Sequence, residues 1–256
     1  MRALVRPVSS SMHCCQLTHI PRTSIDIAKA KAQHDNYVQV LESLGCDLLW
    51  LAPEPELPDA VFVEDTAVVF DEVAVLTRPG AESRRPEVLS VAEALKVQHE
   101  MFSISAPGTL DGGDVLRIGR EVYVGCSTRS NSSGIAQFAV VLERFGYRVT
   151  PVPIRKCLHL KTAITLVGSG ILLINDEWVD RDIWPGMQFI SVAPEEPFAA
   201  NALRIGDVVL HPAASVRTCE RLASVGIRVL PLDISEIEKA EGGVTCLSIF
   251  LDGGHC

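Results

Sequence analysis

Asp114-Val-Leu-Arg-Ile-Gly-Arg-Glu-Val-Tyr-Val-Gly125 reads as two short apolar strands joined by a tight polar turn. The same form returns in Ala67-Val-Val-Phe-Asp-Glu-Val-Ala-Val-Leu-Thr-Arg-Pro-Gly80 and in Ala163-Ile-Thr-Leu-Val-Gly-Ser-Gly-Ile-Leu-Leu-Ile-Asn175. It returns again in Asn201-Ala-Leu-Arg-Ile-Gly-Asp-Val-Val-Leu-His-Pro212, where Gly206-Asp207 suits a hairpin turn. A fifth copy requires the terminal strand Cys246–Leu251 to pair with the first strand, Arg2–Val8. The starts recur at roughly 40–50 residues, a spacing typical of repeat architectures.

Most of these hairpins are followed by a helix and a further strand. Glu82–Gln98 carries Val88, Val91, Ala92 and Leu95 on one face. Asn131 is placed to cap a helix that Gly146 ends, and Ser215–Gly226 and Ser24–Gly45 have the same form. The strands Leu48–Leu51, Met101–Ile104, Tyr147–Ile154 and Ile227–Leu232 come next. In the third unit the stretch Trp178 to Pro185 is too short and broken for a good helix. The expected fold is therefore α/β: a five-bladed, pseudo-symmetric propeller of ββαβ repeats, its ring closed by the two termini. Such closure is expected to remove exposed sheet edges. No linker interrupts the series, so residues 1–256 are expected to form a single domain.

The segments preceding the hairpins carry the chemistry. They are Pro58-Asp59-Ala-Val-Phe-Val-Glu64-Asp65, Gly108-Thr-Leu-Asp111-Gly-Gly-Asp114, Leu158-His159-Leu-Lys161, Asn201, and Glu241-Gly-Gly-Val-Thr-Cys246. Rotation about a common axis would put equivalent positions at one end of it, so carboxylates, an imidazole, an amide and a thiol would share a pocket. Each has an ordinary alternative: Asp111-Gly-Gly-Asp114 as a turn, His159 as a core histidine, Asn201 as a cap, Cys246 as a small buried hydrophobe. Glu64 and Asp65 lie in an apolar run, where carboxylates are costly unless paired or functional. Cys246 is expected where a turn enters a buried strand, with two glycines permitting a tight or strained turn.

Composition narrows the class. The chain of 256 residues is 47% hydrophobic and 21% charged, as in an ordinary globular protein. No apolar run approaches a membrane span, and the start MRALVRPVSSS lacks a signal-like apolar region, so a cytoplasmic protein is expected. The formal charge of −9 disfavours nucleic acid and anionic membrane as partners and suits a small cationic molecule. None of the eight cysteines forms a C-x-x-C pair, which weakens zinc-finger and thioredoxin readings.

Pro58–Asp65, Thr77-Arg-Pro-Gly-Ala-Glu-Ser-Arg-Arg85, Leu110-Asp-Gly-Gly-Asp-Val-Leu116, Leu158–Lys161 and Gly242-Gly-Val-Thr-Cys246 together resemble the dimethylarginine dimethylaminohydrolases. These belong to the guanidine-modifying superfamily with the pentein fold. The resemblance implies hydrolysis of Nω-methylated arginine to citrulline and a methylamine, with no metal and no organic cofactor. It implies Cys246 as nucleophile, His159 as general acid/base and Asp111 as the carboxylate that positions the histidine. Glu64 and Asp65 would bind the guanidinium. Asp59 would bind the α-ammonium with backbone carbonyls near Leu17 and Ala240, and Arg84 and Arg129 would hold the α-carboxylate. Leu17 falls in an expected lid, Ser9–Ile20, where Gln16 could take its place by a one-residue shift. A homodimer is compatible with this reading.

Three alternatives stay open. Arginine deiminases carry an aspartate two residues after the histidine, where this chain has Lys161. Amidinotransferases match less well. A non-catalytic thiol or metal-binding protein would use Cys14-Cys15, His13 and the tail Gly253-Gly-His-Cys256. The chain also departs from the family in having Leu247 after Cys246, where relatives often have a second cysteine.

Overall fold

The computed structural model describes residues 1–252. The tail Gly253–Cys256, and with it the metal-binding alternative's histidine and last cysteine, lies outside the described residues.

The first unit runs β1 (Arg2–Val5), α1 (Ile27–Ser43) and β2 (Asp47–Trp50). The second is β3 (Ala67–Val69), β4 (Val73–Leu76), α2 (Val88–Leu95) and β5 (Glu100–Ser103). The third is β6 (Val115–Ile118), β7 (Glu121–Cys126), α3 (Ser132–Glu143) and β8 (Arg148–Pro153). The fourth opens with a short helix, α4 (Leu160–Ala163), before β9 (Ile164–Gly168), β10 (Ile171–Ile174) and β11 (Gln188–Ser191). The fifth is β12 (Leu203–Ile205), β13 (Val208–Pro212), α5 (Val216–Ser224) and β14 (Arg228–Leu232). A short helix α6 (Ser235–Glu238) then leads to β15 (Ile249–Phe250).

Each unit forms a three-stranded sheet whose middle strand is antiparallel to the inner strand and parallel to the outer one. The first sheet takes its inner strand from the other end of the chain. β15 pairs antiparallel with β1 (Ala3↔Phe250, Leu4↔Ile249), and β1 pairs parallel with β2.

The inner and middle strands are largely buried and mostly apolar, whereas the outer strands are partly exposed and carry polar residues such as Glu100, Arg148 and Gln188. In β1, Leu4 faces the seam with the second sheet, beside Val69, Ala74 and Leu95, while Ala3 and Val5 face the seam with the fifth, beside Leu203 and Leu210. Val68 meets Val115 and Val124 across the next seam. Leu116 meets Leu172 and Ile174, and Leu173 meets Val209 and Leu222. Five apolar seams join five sheets in a cycle, so the ring is closed by side-chain packing. Because no hydrogen-bonded ladder runs between sheets, the outer strands β2, β5, β8, β11 and β14 keep a free edge. The expected removal of exposed edges therefore holds only for the inner strands.

Local signals account for most boundaries. Asn131 accepts from the Gly134 amide at 2.8 Å and caps α3; Asp26 caps α1 through the Lys29 amide. The helix expected over Glu82–Gln98 begins instead as a tight 3-10 turn, Glu82–Glu87, and becomes α-helical only at Val88. Pro86 lacks the amide that a continuous helix would need. The expected strand from Cys246 is shorter still: residues 244–247 form a turn, and pairing starts at Ile249. Among the described residues no helix is long and apolar enough to cross a membrane.

Candidate active site

The segments that precede the inner strands converge on one end of the ring. Asp59, Asp65, Arg84, Arg129, His159, Ala240 and Cys246 line a common cleft of about 20 Å³. Thiol and imidazole, which lie 87 residues apart (246 − 159) in the chain, thus face one space.

Cys246 is held by the turn before β15, where its amide donates to the Gly243 carbonyl at 3.2 Å and the Gly243 amide approaches its sulfur at 3.3 Å. The two glycines serve close approach rather than backbone strain. A Cβ on Gly242 would lie 2.3 Å from the Phe62 ring, and one on Gly243 would lie 2.2 Å from Oδ1 of Asn201. The left-handed residue here is Glu241, at φ 58. Burial pushes the Cys246 thiol far up from its usual pKa, and the neighbouring carboxylates of Glu64 and Asp65 push it further. The free protein therefore holds a thiol.

His159 precedes α4 and is buried. Its Nε2 lies 3.0 Å from Oδ2 of Asp111 and 3.9 Å from Oδ1 of Asp65. Burial opposes a charged ring, but Asp65, the Asp111 hydrogen bond and Asp114 outweigh it, lifting the pKa to about 9. These carboxylates favour the charged form of the ring. Asp65 is correspondingly held down to about 2: burial works against its charge, and His159 and Arg84 overcome it.

The Asp111-Gly-Gly-Asp114 segment is a short 3-10 turn and also part of the site. Gly113 leaves room for the imidazole, since a Cβ there would meet Nδ1 of His159 at 2.7 Å. Asp114, to which the sequence assigns no role, is fully buried and accepts from the Leu160 amide at 2.9 Å and from Ser127 and Ser130. It anchors the start of α4 and so the backbone that carries His159.

Three expected site residues sit differently from the rest. Asp111 lies behind the imidazole, where it also accepts from the Gly80 amide at 2.9 Å and faces Arg129 at 3.7 Å. Glu64 lines a separate cavity of about 280 Å³ bounded by Val68, Thr165, Leu203 and Ile249 of four inner strands. Lys161 donates to its Oε1 at 2.6 Å and Thr245 to its Oε2 at 2.8 Å, which leaves each oxygen one further acceptor position. Leu17 packs its side chain against the core, and Gln16 lines the cleft, its amide 3.1 Å from both oxygens of Asp59. Arg84 lines the cleft but spends most of its donors internally, on Asp65 (2.6 Å), Glu87 and the Phe62 carbonyl. Motif spacing carries no signal for these internal pairings.

Glu241 is a site residue that the sequence does not reveal. Its carboxylate accepts from the successive backbone amides of Thr18 (2.8 Å), His19 and Ile20 (2.9 Å). It pins the end of the expected lid over the cleft. Ligand atoms of Asp65, Asp111 and His159 lie within 4.8 Å of one another, close enough to share a metal ion. Arg84 on Asp65 and Arg129 beside Asp111 already place positive charge there, which disfavours a further cation.

A family model described as N,N dimethylarginine dimethylhydrolase, eukaryotic, matches residues 18–250. The chain is 42% identical over 252 residues to N(G),N(G)-dimethylarginine dimethylaminohydrolase of Streptomyces coelicolor, covering 98% of this chain and 96% of the relative. It is 37% identical over 226 residues to the enzyme of that name from Pseudomonas aeruginosa, covering 88% of this chain and 89% of the relative. A solved structure of the Pseudomonas aeruginosa protein, a cysteine-to-serine variant complexed with citrulline, superposes with a TM-score of 0.93 at 35% identity. It covers 97% of this chain and 98% of that one.

Proposed function

This chain belongs to the dimethylarginine dimethylaminohydrolase family, and from that premise we propose that it hydrolyses dimethylarginine to citrulline and a methylamine. It is a hydrolase acting on a C–N bond of a guanidino group, and its substrate is a small amino acid. The carrying observation is the shared cleft, in which a buried thiol, an imidazole, two aspartates and two arginines line one space. Arg129 and the remaining Nη1 donor of Arg84 suit an α-carboxylate, and Asp59 suits an α-ammonium. Asp65 and Glu64 suit the guanidinium, Asp65 from the cleft itself and Glu64 from beside Thr245 and Lys161.

A guanidinium is a poor electrophile because resonance spreads its charge, so it must be fixed before a thiolate can approach its central carbon. Arrival of the substrate cation favours loss of the Cys246 proton to solvent water, from which the thiolate takes one back when citrulline leaves. The Sγ–C bond then forms, giving a tetrahedral adduct. His159 protonates the methylated nitrogen, the C–N bond breaks, and the amine leaves with the electron pair. A thiouronium remains on Cys246. The now neutral His159 takes a proton from water, hydroxide adds to the carbon, and the C–S bond breaks to return the thiolate. The proton lost as the ureido carbonyl forms ends on the amine.

Citrulline release from asymmetric dimethylarginine, measured with and without a chelator, tests this. Release unaffected by chelator supports it; no release, or release abolished by chelator, overturns it. The nearest alternative, arginine deiminase, is disfavoured by Lys161, whose ammonium is engaged by Glu64 where that activity would place a substrate-binding aspartate. We further propose that residues 1–256 act as one catalytic unit.

A further inference from the structure

Cys246 opens on a second space besides the cleft. Cys246, Leu158 and Gly242 line both the cleft and a neighbouring cavity of about 210 Å³, so the two meet at the nucleophile. Their charges differ. The cleft holds Arg84 and Arg129 together with Asp59 and Asp65, whereas among the described residues no arginine or lysine lines the neighbouring cavity.

The neighbouring cavity has two acids, and they differ in their engagement. Glu241 is saturated by the lid amides. Glu238, at the end of α6, has no hydrogen bond or ion pair to its carboxylate among the described residues. Burial and the nearby charge of Asp233 push its pKa up, as expected for an acid walled in without a counter-ion. Phe198 forms part of the opposite lining; it is 47% exposed and is held edge-on to Trp178 at 5.1 Å between ring centroids. Ile20 and Pro212 complete an apolar wall. An uncompensated carboxylate, an aromatic ring and apolar walls form the combination that receives alkylated ammonium ions.

We propose that this cavity takes the methyl-bearing nitrogen of the substrate and, after C–N cleavage, holds the methylammonium product, with Glu238 as counter-charge and Phe198 as aromatic wall. The assignment rests on the hydrolase reading given above and extends it to the leaving group. The product becomes cationic once it holds both the proton from His159 and the one released on ureido formation. In the cleft Asp65 is already paired with Arg84, while Glu238 offers an unpaired carboxylate on the other side of Cys246. The same preference separates methylated from unmethylated substrates, because apolar walls reward methyl groups and not bare N–H.

The test uses the full chain with dimethylammonium, tetramethylammonium and ammonium chlorides at equal ionic strength. Citrulline formation is measured together with saturation transfer from protein to the methyl protons of tetramethylammonium. The methylated ions should inhibit and ammonium should not. Glu238→Gln should raise the inhibition constant for dimethylammonium about tenfold, a loss of about 1.4 kcal/mol. Phe198→Ala, at an exposed position, should raise it several-fold and serves as the second variant should Glu238→Gln fold poorly. Equal inhibition of wild type and variants, inhibition by ammonium as strong as by its methylated forms, or absence of saturation transfer overturns the proposal. If wild type releases no citrulline, the hydrolase reading fails, and saturation transfer still decides whether the cavity binds methylated ammonium.

Discussion

Nε2 of His159 and Oδ2 of Asp111 lie 3.0 Å apart in a fully enclosed contact, which ties the ring's charge to a carboxylate 48 residues away in the chain. The folded-state pKa of about 9 exceeds the unfolded value of about 6.5. His159 should therefore contribute stability that is fully present below about pH 6.5 and is lost as pH rises through about 9. Titration of the ring by NMR should give a midpoint near the higher value. Asp111→Asn should lower it by roughly one to two units and reduce turnover more than substrate binding. An unchanged midpoint in that variant would dismiss the pairing.

Cys246 should be un-ionised in the free protein at neutral pH, because burial, Glu64 and Asp65 all disfavour the thiolate. Ultraviolet difference absorbance between wild type and Cys246→Ser should show no thiolate until strongly alkaline pH. The same substitution should abolish turnover while leaving dimethylarginine binding measurable by calorimetry. A thiolate signal at neutral pH would contradict the electrostatic account of the turn.

Lys161 and Glu64 form a buried pair at 2.6 Å, and Thr245 takes the remaining carboxylate oxygen at 2.8 Å. Lys161→Met leaves Glu64 with an uncompensated charge and should cost about 3–5 kcal/mol in urea unfolding. Pairing it with Glu64→Gln should recover a large part of that loss. If the single variant unfolds like wild type, Lys161 is not what compensates the buried Glu64 charge.

Glu241 clamps three consecutive lid amides while adopting a left-handed backbone. Glu241→Gly removes the clamp but suits the φ of 58, so overall stability should change little. Amide exchange at Thr18, His19 and Ile20 should accelerate by about tenfold or more. KM for dimethylarginine should rise with little change in kcat. Exchange as slow as in wild type would show that other contacts hold the lid.

The repeat itself was legible because strand and helix periods are local properties of the chain. The hairpins at Val115–Cys126 and Ile164–Ile174 and the cap at Asn131 follow from local pattern and turn chemistry, and the terminal pairing of β15 with β1 follows from the need for a fifth copy of the repeat. The rotation that relates the repeats then brings Cys246, His159 and Asp65 to one end. Where sequence reading fell short, a competing local rule won. Pro86 split the helix over Glu82–Gln98, and the turn at Cys246 delayed the last strand to Ile249.

Fold class, the order of the units and the residue types that reach the axis depend on short-range pattern repeated five times, so the amino-acid order alone reveals them. How the charges pair once there emerges from three-dimensional packing. Two adjacent carboxylates, Glu64 and Asp65, part company: one turns to Lys161, the other to Arg84 and His159. The physical reason is that a buried charge takes the nearest opposite charge that packing delivers. Lys161 and His159 come from another blade, at sequence distances no local pattern encodes, whereas Arg84 comes from the same unit as Asp65.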